Sequence, residues 1–203
     1  MFTKTRLKLY IIVVLLALAA CAPADLDITP TVDPAAQTAP IPTETAAEAN
    51  EPTQATRDLL DELISRVPAT LGSTTAVQWN RTDVPPTVVN RPGGITGRIT
   101  FAERQGGQTE ITIGTFNDES STTTYYESRE RDTRLERGTP RDYAPEPNRF
   151  GTGTYGSMAI WTRDDVFVQV VILINISTFG DPLRPLVTEI DQIIQEVLEA
   201  PQP

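Results

Sequence analysis

An abrupt change in composition near residue 55 decides where this chain can bury anything. Residues 22–55 are rich in Pro, Thr and Ala, as in Thr29-Pro30-Thr31 and Pro40-Ile41-Pro42-Thr43, and nearly lack large apolar side chains. They carry six acidic residues, Asp25, Asp27, Asp33, Glu44, Glu48 and Glu51, and no basic one. Such a segment buries too little surface to offset the entropy of ordering it. It reads as a disordered tether, stiffened by proline and by its own charge. Its reach is on the order of 100 Å as extended polyproline, and about a third of that as a flexible coil. Residues 56–200 have the periodic apolar pattern of a folded unit. They form one expected domain, near the common domain size and long enough for a real core.

A second apolar stretch lies at the start of the chain. Lys4, Arg6 and Lys8 precede twelve apolar residues, Leu9 to Ala20. A membrane-spanning helix needs about 20. A basic segment, a short apolar run and small residues at its exit describe a secretory signal. Cys21, the only cysteine, directly follows Leu18-Ala19-Ala20. The four residues together resemble the lipobox of bacterial lipoproteins. That resemblance implies that 1–20 is a signal peptide removed by cleavage before Cys21. It also implies a diacylglyceryl thioether on the Cys21 sulfur, with acyl chains of the palmitate kind and usually an acylated amine as well. Two or more acyl chains hold a protein stably on a membrane. The protein would then be extracytoplasmic in the cell envelope, lipid-anchored to the cell membrane, or to the outer membrane where the cell has one. Ala22 is not the aspartate that resembles an inner-membrane retention signal. An ordinary secretory signal with an unrelated cysteine, or an uncleaved anchor, is the plainer alternative.

Loss of the signal removes three cations and takes the formal charge from −10 to −13. The 14 basic residues that remain are all arginine, with no lysine and no histidine. Such acidity argues against nucleic acid and against electrostatic adhesion to anionic lipid. Without histidine, the commonest general base and metal ligand is missing. With Cys21 acylated there is no thiol for a cysteine nucleophile, a zinc–thiolate site or a disulfide, and no Ser-His-Asp triad is available. The missing lysine excludes Schiff-base chemistry and a P-loop. Carboxylate pairs and oxygen-ligated metals survive these exclusions. No cofactor is implied.

Within 56–200 the pattern begins with a helix from about Arg57 to Val67, apolar at Leu59, Leu60, Leu63, Ile64 and Val67, and stopped by Pro68. A short strand is expected around Ala76–Trp79, then an irregular connection through Pro85-Pro86 and Arg91-Pro92-Gly93-Gly94. Ile95–Glu103 alternates and turns at Gln105-Gly106-Gly107-Gln108 into a return strand ending near Phe116. Asn117-Asp118-Glu119-Ser120 has the chemistry of a helix start, and a helix is predicted to about Arg137. Glu127–Arg131 and Glu130–Arg134 stand at favourable i,i+4 spacing on it. Gly138–Asn148 reads as a loop. Strands follow at Met158–Thr162 and Val166–Ile176, joined by a tight turn at Asp164-Asp165. The second is apolar on both faces at its centre, which places it inside the sheet. Asp181-Pro182 opens a last helix with a continuous stripe from Leu183 to Leu198.

This order predicts an α+β fold: an antiparallel sheet of about five strands packed with amphipathic helices in two or three layers. The run of strand, polar turn, helix with paired tyrosines, loop, glycine-rich lead-in and apolar hairpin is similar to small secreted α+β domains of the PsbP-like sort. The likeness is one of pattern and carries over no residue roles.

Candidate sites are few. Gly151-Thr152-Gly153-Thr154-Tyr155-Gly156 matches G-x-G-x-x-G, but it leads into a strand where a dinucleotide site needs a helix. It reads as a flexible loop or strand lead-in. Asp164-Asp165 could ligate a hard cation, but aspartate is also common in hairpin turns. The mixed charges of Arg129–Arg137 read as a solvated helix face or a partner surface. Trp79, Trp161, Tyr125, Tyr126 and Tyr155 read as core aromatics or as the lining of a pocket for a glycan or lipid. The residues singled out for ligand or partner contact are Tyr125, Tyr126, Arg129, Tyr155 and Trp161, beside Cys21 for lipidation. The expected function is a membrane-anchored, non-catalytic binding module that contacts an envelope protein or a small ligand. The alternative is an enzyme using a carboxylate pair or an oxygen-ligated metal.

Overall fold

The computed structural model describes residues 51–72, 77–104, 106–153, 156–173 and 181–200. The first helix, α1 (Gln54–Arg66), starts where the Thr53 hydroxyl accepts the Thr56 N–H at 3.2 Å. Pro52, just ahead of this cap, is buried, so the fold takes in a few residues before the composition break. Strands β1 (Thr70–Leu71), β2 (Trp79–Arg81), β3 (Thr87–Arg91), β4 (Gly94–Ala102) and β5 (Gln108–Phe116) follow. Next come α2 (Glu119–Asp132), a 3₁₀ turn (Leu135–Arg137), β6 (Asn148–Gly153), β7 (Gly156–Arg163), β8 (Val166–Ile172) and α3 (Leu183–Glu199).

The chain is α+β, with three helices and an antiparallel sheet of eight strands among the described residues. The order is β1-β2-β4-β5-β8-β7-β6, with β3 also paired to β4. β2 and β3 lie end to end along the same edge of β4. β2 meets it at Phe101 and Ala102, and β3 meets it from Gly94 to Arg98. Pro85-Pro86, which lack N–H donors, fall in the break between them. β8 lies between β5 and β7, the inner position its two-faced apolarity predicts.

The three strands beyond the expected five are β1, β3 and β6. β1 has two residues. β3 is exposed on both faces, so it has no apolar alternation to read. β6 is built from Asn, Arg, Thr and Gly around a single Phe150. The residues Ala76 and Ile174–Ile176, expected at strand ends, lie outside the described residues.

Residue parity separates the two faces. Ile99, Phe101, Ile111, Ile113, Trp161, Val166, Val168 and Val170 point to one face and form a continuous core with α1 and α3. The opposite face carries a smaller cluster of Phe116, Ile160 and Phe167 with Tyr126 of α2 and Leu135. α2 is therefore the third layer. Its start is capped by Asp118, whose carboxylate accepts the Ser121 N–H at 2.8 Å. It ends at Asp132 rather than Arg137, because Arg134 takes the left-handed conformation at φ 58° and turns the chain. Glu127–Arg131 forms at 3.9 Å, but the expected Glu130–Arg134 pair does not. Glu130 instead pairs with Arg149 of β6 at 2.9 Å.

Candidate functional site

The β3–β4 hairpin closes on the pair Arg91–Gly94, with Pro92 and Gly93 at its tip. Proline sets the first φ of such a turn and Gly93 supplies the positive second one, 68°. A Cβ on Gly93 would sit 2.5 Å from the Ser121 hydroxyl, so the hairpin tip packs directly on the first turn of α2. The Asn117 N–H donates to the Gly93 carbonyl at 2.8 Å and locks the approach. Between the hairpin and the helix lies a cleft of about 450 Å³, whose lining includes Arg91, Ser121, Tyr125, Ser128, Arg129 and Asp132. Helical spacing of three and four residues puts these α2 side chains on one face.

Tyr125 forms the aromatic floor. Its ring centroid lies 5.1 Å from Phe116 and 4.9 Å, edge-on, from Phe167. The Arg91 guanidinium stands 5.7 Å from the Tyr125 ring centre, within cation–π range. Arg91 Nε donates to Thr96 Oγ1 at 3.3 Å, and no carboxylate pairs with Arg91 among the described residues. One turn along, Arg129 donates through Nε and Nη2 to the buried Gln169 Oε1 at 3.3 and 3.0 Å. Its Nη1 lies 3.6 Å from Asp132. Two guanidinium groups thus share one cleft, Arg91 held by the Thr96 hydroxyl and Arg129 by the Gln169 amide and Asp132. Planar forked donors beside hydroxyls suit a carboxylate or phosphate.

The expected contact residues separate. Tyr125 and Arg129 meet in this cleft. Tyr126 points inward to the small core. Its hydroxyl is buried without a hydrogen-bond partner among the described residues. Burial, with the Glu130 charge adding to it, pushes that hydroxyl up to about 12. Trp161 lies on the other face with no exposed surface, its indole donating to Asp191 at 3.2 Å, and Trp79 is likewise core. Both tryptophans are thus structural, a correction to the pocket-lining alternative. Tyr155 and Cys21 lie outside the described residues. Sequence reasoning missed Arg91 and Gln169. The Pro-Gly pair after Arg91 was the available signal, since it marks a turn that presents its flanking residues.

Among the described residues the half-buried acids all have partners or turn roles. Asp191 takes both Nε and Nη2 of Arg163 at 3.0 and 2.6 Å, and this pairing holds the Arg163 guanidinium above its usual range. Glu110 pairs with Arg98 at 3.4 Å. Glu103 and Glu189 accept the backbone N–H groups of Gly107 and Gly72. Asp164, at φ 49°, and Asp165 make the β7–β8 turn. Burial, helped by the charges of Asp118, Asp164 and Glu119, raises the Asp165 carboxyl. Among the described residues no group of three or more potential ligands is placed to hold a metal ion. No helix among them is long and apolar enough to cross a membrane.

A second cavity of about 690 Å³ has an apolar lining that includes Leu135, Phe150, Met158 and Ile172, with Arg134 and Arg137 beside them. Gly156 and Leu173, also in its lining, adjoin residues outside the described set. Comparison with family models, curated proteins and solved structures found no match.

Proposed function

We propose that this chain is a lipid-anchored, extracytoplasmic binding module that takes up an anionic group in the Arg91–Tyr125–Arg129 cleft. The observation that carries the reading is the convergence of two arginines on one cleft in a strongly acidic chain, with no carboxylate paired to Arg91 among the described residues. The fold invests a buried amide, Gln169, and an aromatic floor in holding those guanidinium groups in place. The anchoring half of the proposal rests on Leu18-Ala19-Ala20-Cys21 and the basic residues before it. An acidic tether would keep the domain clear of an anionic membrane surface.

Two experiments test it. Cys21→Ala should move the protein from the membrane fraction to the soluble envelope fraction; equal membrane retention of variant and parent sinks the anchor. Titration of the full chain in detergent with acetate and with inorganic phosphate, followed by arginine Nε–H NMR, should shift the Arg91 and Arg129 signals selectively. Shifts spread evenly over all arginines would sink the cleft, and a response to one probe alone would name the anion.

A further inference from the structure

Three of the four large apolar side chains most exposed among the described residues lie on or beside one strand: Val84 at 60%, Val88 at 50% and Val89 at 40%. Val88 and Val89 belong to β3, and Val84 lies just before it. Among the described residues β3 is hydrogen-bonded to β4 alone. The hairpin closes on Arg91–Gly94, so the alternation of antiparallel bonding ties residues 87, 89 and 91 to β4. The backbone N–H and C=O groups of Val88 and Asn90 then point away from the sheet. Folded proteins normally blunt such an edge with charge, bulges or cover. Here the five residues Thr87–Arg91 are unblunted until Arg91, and all but Arg91 are exposed.

The charge around this edge runs against the rest of the molecule. From Val77 to Ala102 the chain has three arginines, Arg81, Arg91 and Arg98, and one acid, Asp83, while the whole chain carries 27 acids against 17 bases. From α1, Arg57 also reaches over to Asn90 Oδ1 at 3.4 Å. This is the electrostatic complement of an acidic segment, and a second copy presenting the same edge would meet it with like charge.

We propose that β3 is a docking edge that adds a strand from a partner protein: an extended peptide alternating apolar and acidic residues. Its backbone pairs with Val88 and Asn90. Val88 faces the α1 side of the sheet, while Val89, Arg91 and Arg98 face the other. The peptide's apolar side chains therefore lie beside Val88, and its carboxylates reach Arg91 on the opposite face, and Arg98 beside its partner Glu110. Backbone pairing gives the affinity, and the alternating side chains give the selectivity. The inference stands on the strand edge and shares only Arg91 with the cleft.

The test uses the full chain in detergent and a capped synthetic octapeptide alternating valine and glutamate. Two control peptides accompany it: the valine–lysine counterpart, and the same valine–glutamate peptide N-methylated on the amides of one edge. The expected result is binding of the first with backbone NMR shifts centred on Val88 and Asn90, and binding about tenfold or more weaker for both controls. Val88→Pro, which removes an outward N–H and leaves the β4 ladder intact, should weaken binding similarly; Val89→Lys, on a solvent-facing side chain, provides a second variant. Equal binding of the N-methylated peptide overturns the docking edge. So does a self-associated dimer that protects the same amides. Shifts confined to Tyr125 and Arg129 would overturn it too, while leaving the cleft proposal standing.

Discussion

The two faces of the sheet are finished differently. One is closed by α1 and α3 over a continuous apolar core running from Leu60 to Val197. The other has α2 alone, a small aromatic cluster, and sheet positions Arg98, Thr100, Glu110 and Thr112 that keep some solvent contact. The first face makes the domain stable. The second spends hydrogen bonds on positioning polar groups, and the arginine cleft lies at its border. A single sheet thus divides apolar cohesion and polar display between its sides.

The sharpest way to break that comparison is to empty the closed face. Trp161→Ala should cost about 3–5 kcal/mol in urea denaturation, the usual cost of deleting a fully buried aromatic side chain. A loss below about 1 kcal/mol would mean that this face is not the main core. Asp191→Asn comes next, because it unpairs Arg163 and weakens the contact to Trp161. It should cost about 1–3 kcal/mol by the same measurement.

The α2 side should behave in the opposite sense. Tyr126→Phe removes a hydroxyl that is buried without a partner, so stability should stay level or rise by up to about 1 kcal/mol. A clear loss would reveal a partner for that hydroxyl. The smallest effect is expected at the β7–β8 turn. The Asp165 carboxyl is raised in the fold, so the folded state holds its proton more tightly than the unfolded chain, and stability falls as pH rises through the raised value. Asp165→Asn should therefore raise the urea midpoint at pH 7, with the gain vanishing as pH falls through the carboxylate range. Asp118 has the opposite sign. The Ser121 backbone and side-chain hydrogen bonds lower its carboxyl, and its contribution is lost only as pH falls through that lowered value.

The parts of this fold legible in the sequence are those where one apolar period dominates. The α3 stripe, the two-faced β8 and the β4–β5 hairpin all follow from periodicity, since burial and spacing point the same way. β3 was not legible because both its faces meet solvent. β6 was not legible because glycine stands where side chains would collide. At the far end of that motif, Gly156 sits at φ 142°, and a Cβ there would fall 1.6 Å from the Ile172 carbonyl oxygen. The literal G-x-G-x-x-G is thus the junction of two paired strands, fixed by steric demand. At the cleft, Tyr125 and Arg129 were legible as residue types on a helix. Their partners Arg91 and Gln169 were not, because they arrive from 34 and 40 residues away through pairings that no local pattern encodes. Trp161 shows the converse: its residue type suggested a pocket wall, and its parity on β7 put it in the core.

Asn117 also gives the domain a mechanical property. Its side chain accepts from the Thr53 N–H at 3.0 Å and the Thr56 hydroxyl at 2.7 Å, and donates to the Glu51 carbonyl at 2.8 Å. Its own N–H holds the Gly93 carbonyl. Any tension arriving along the chain ahead of residue 51 meets this clasp before it can unwind α1. The load then passes to the adjoining ends of β4 and β5, whose nine-residue ladder can share it in shear rather than peel. That clasp works as a strain relief at the start of the fold.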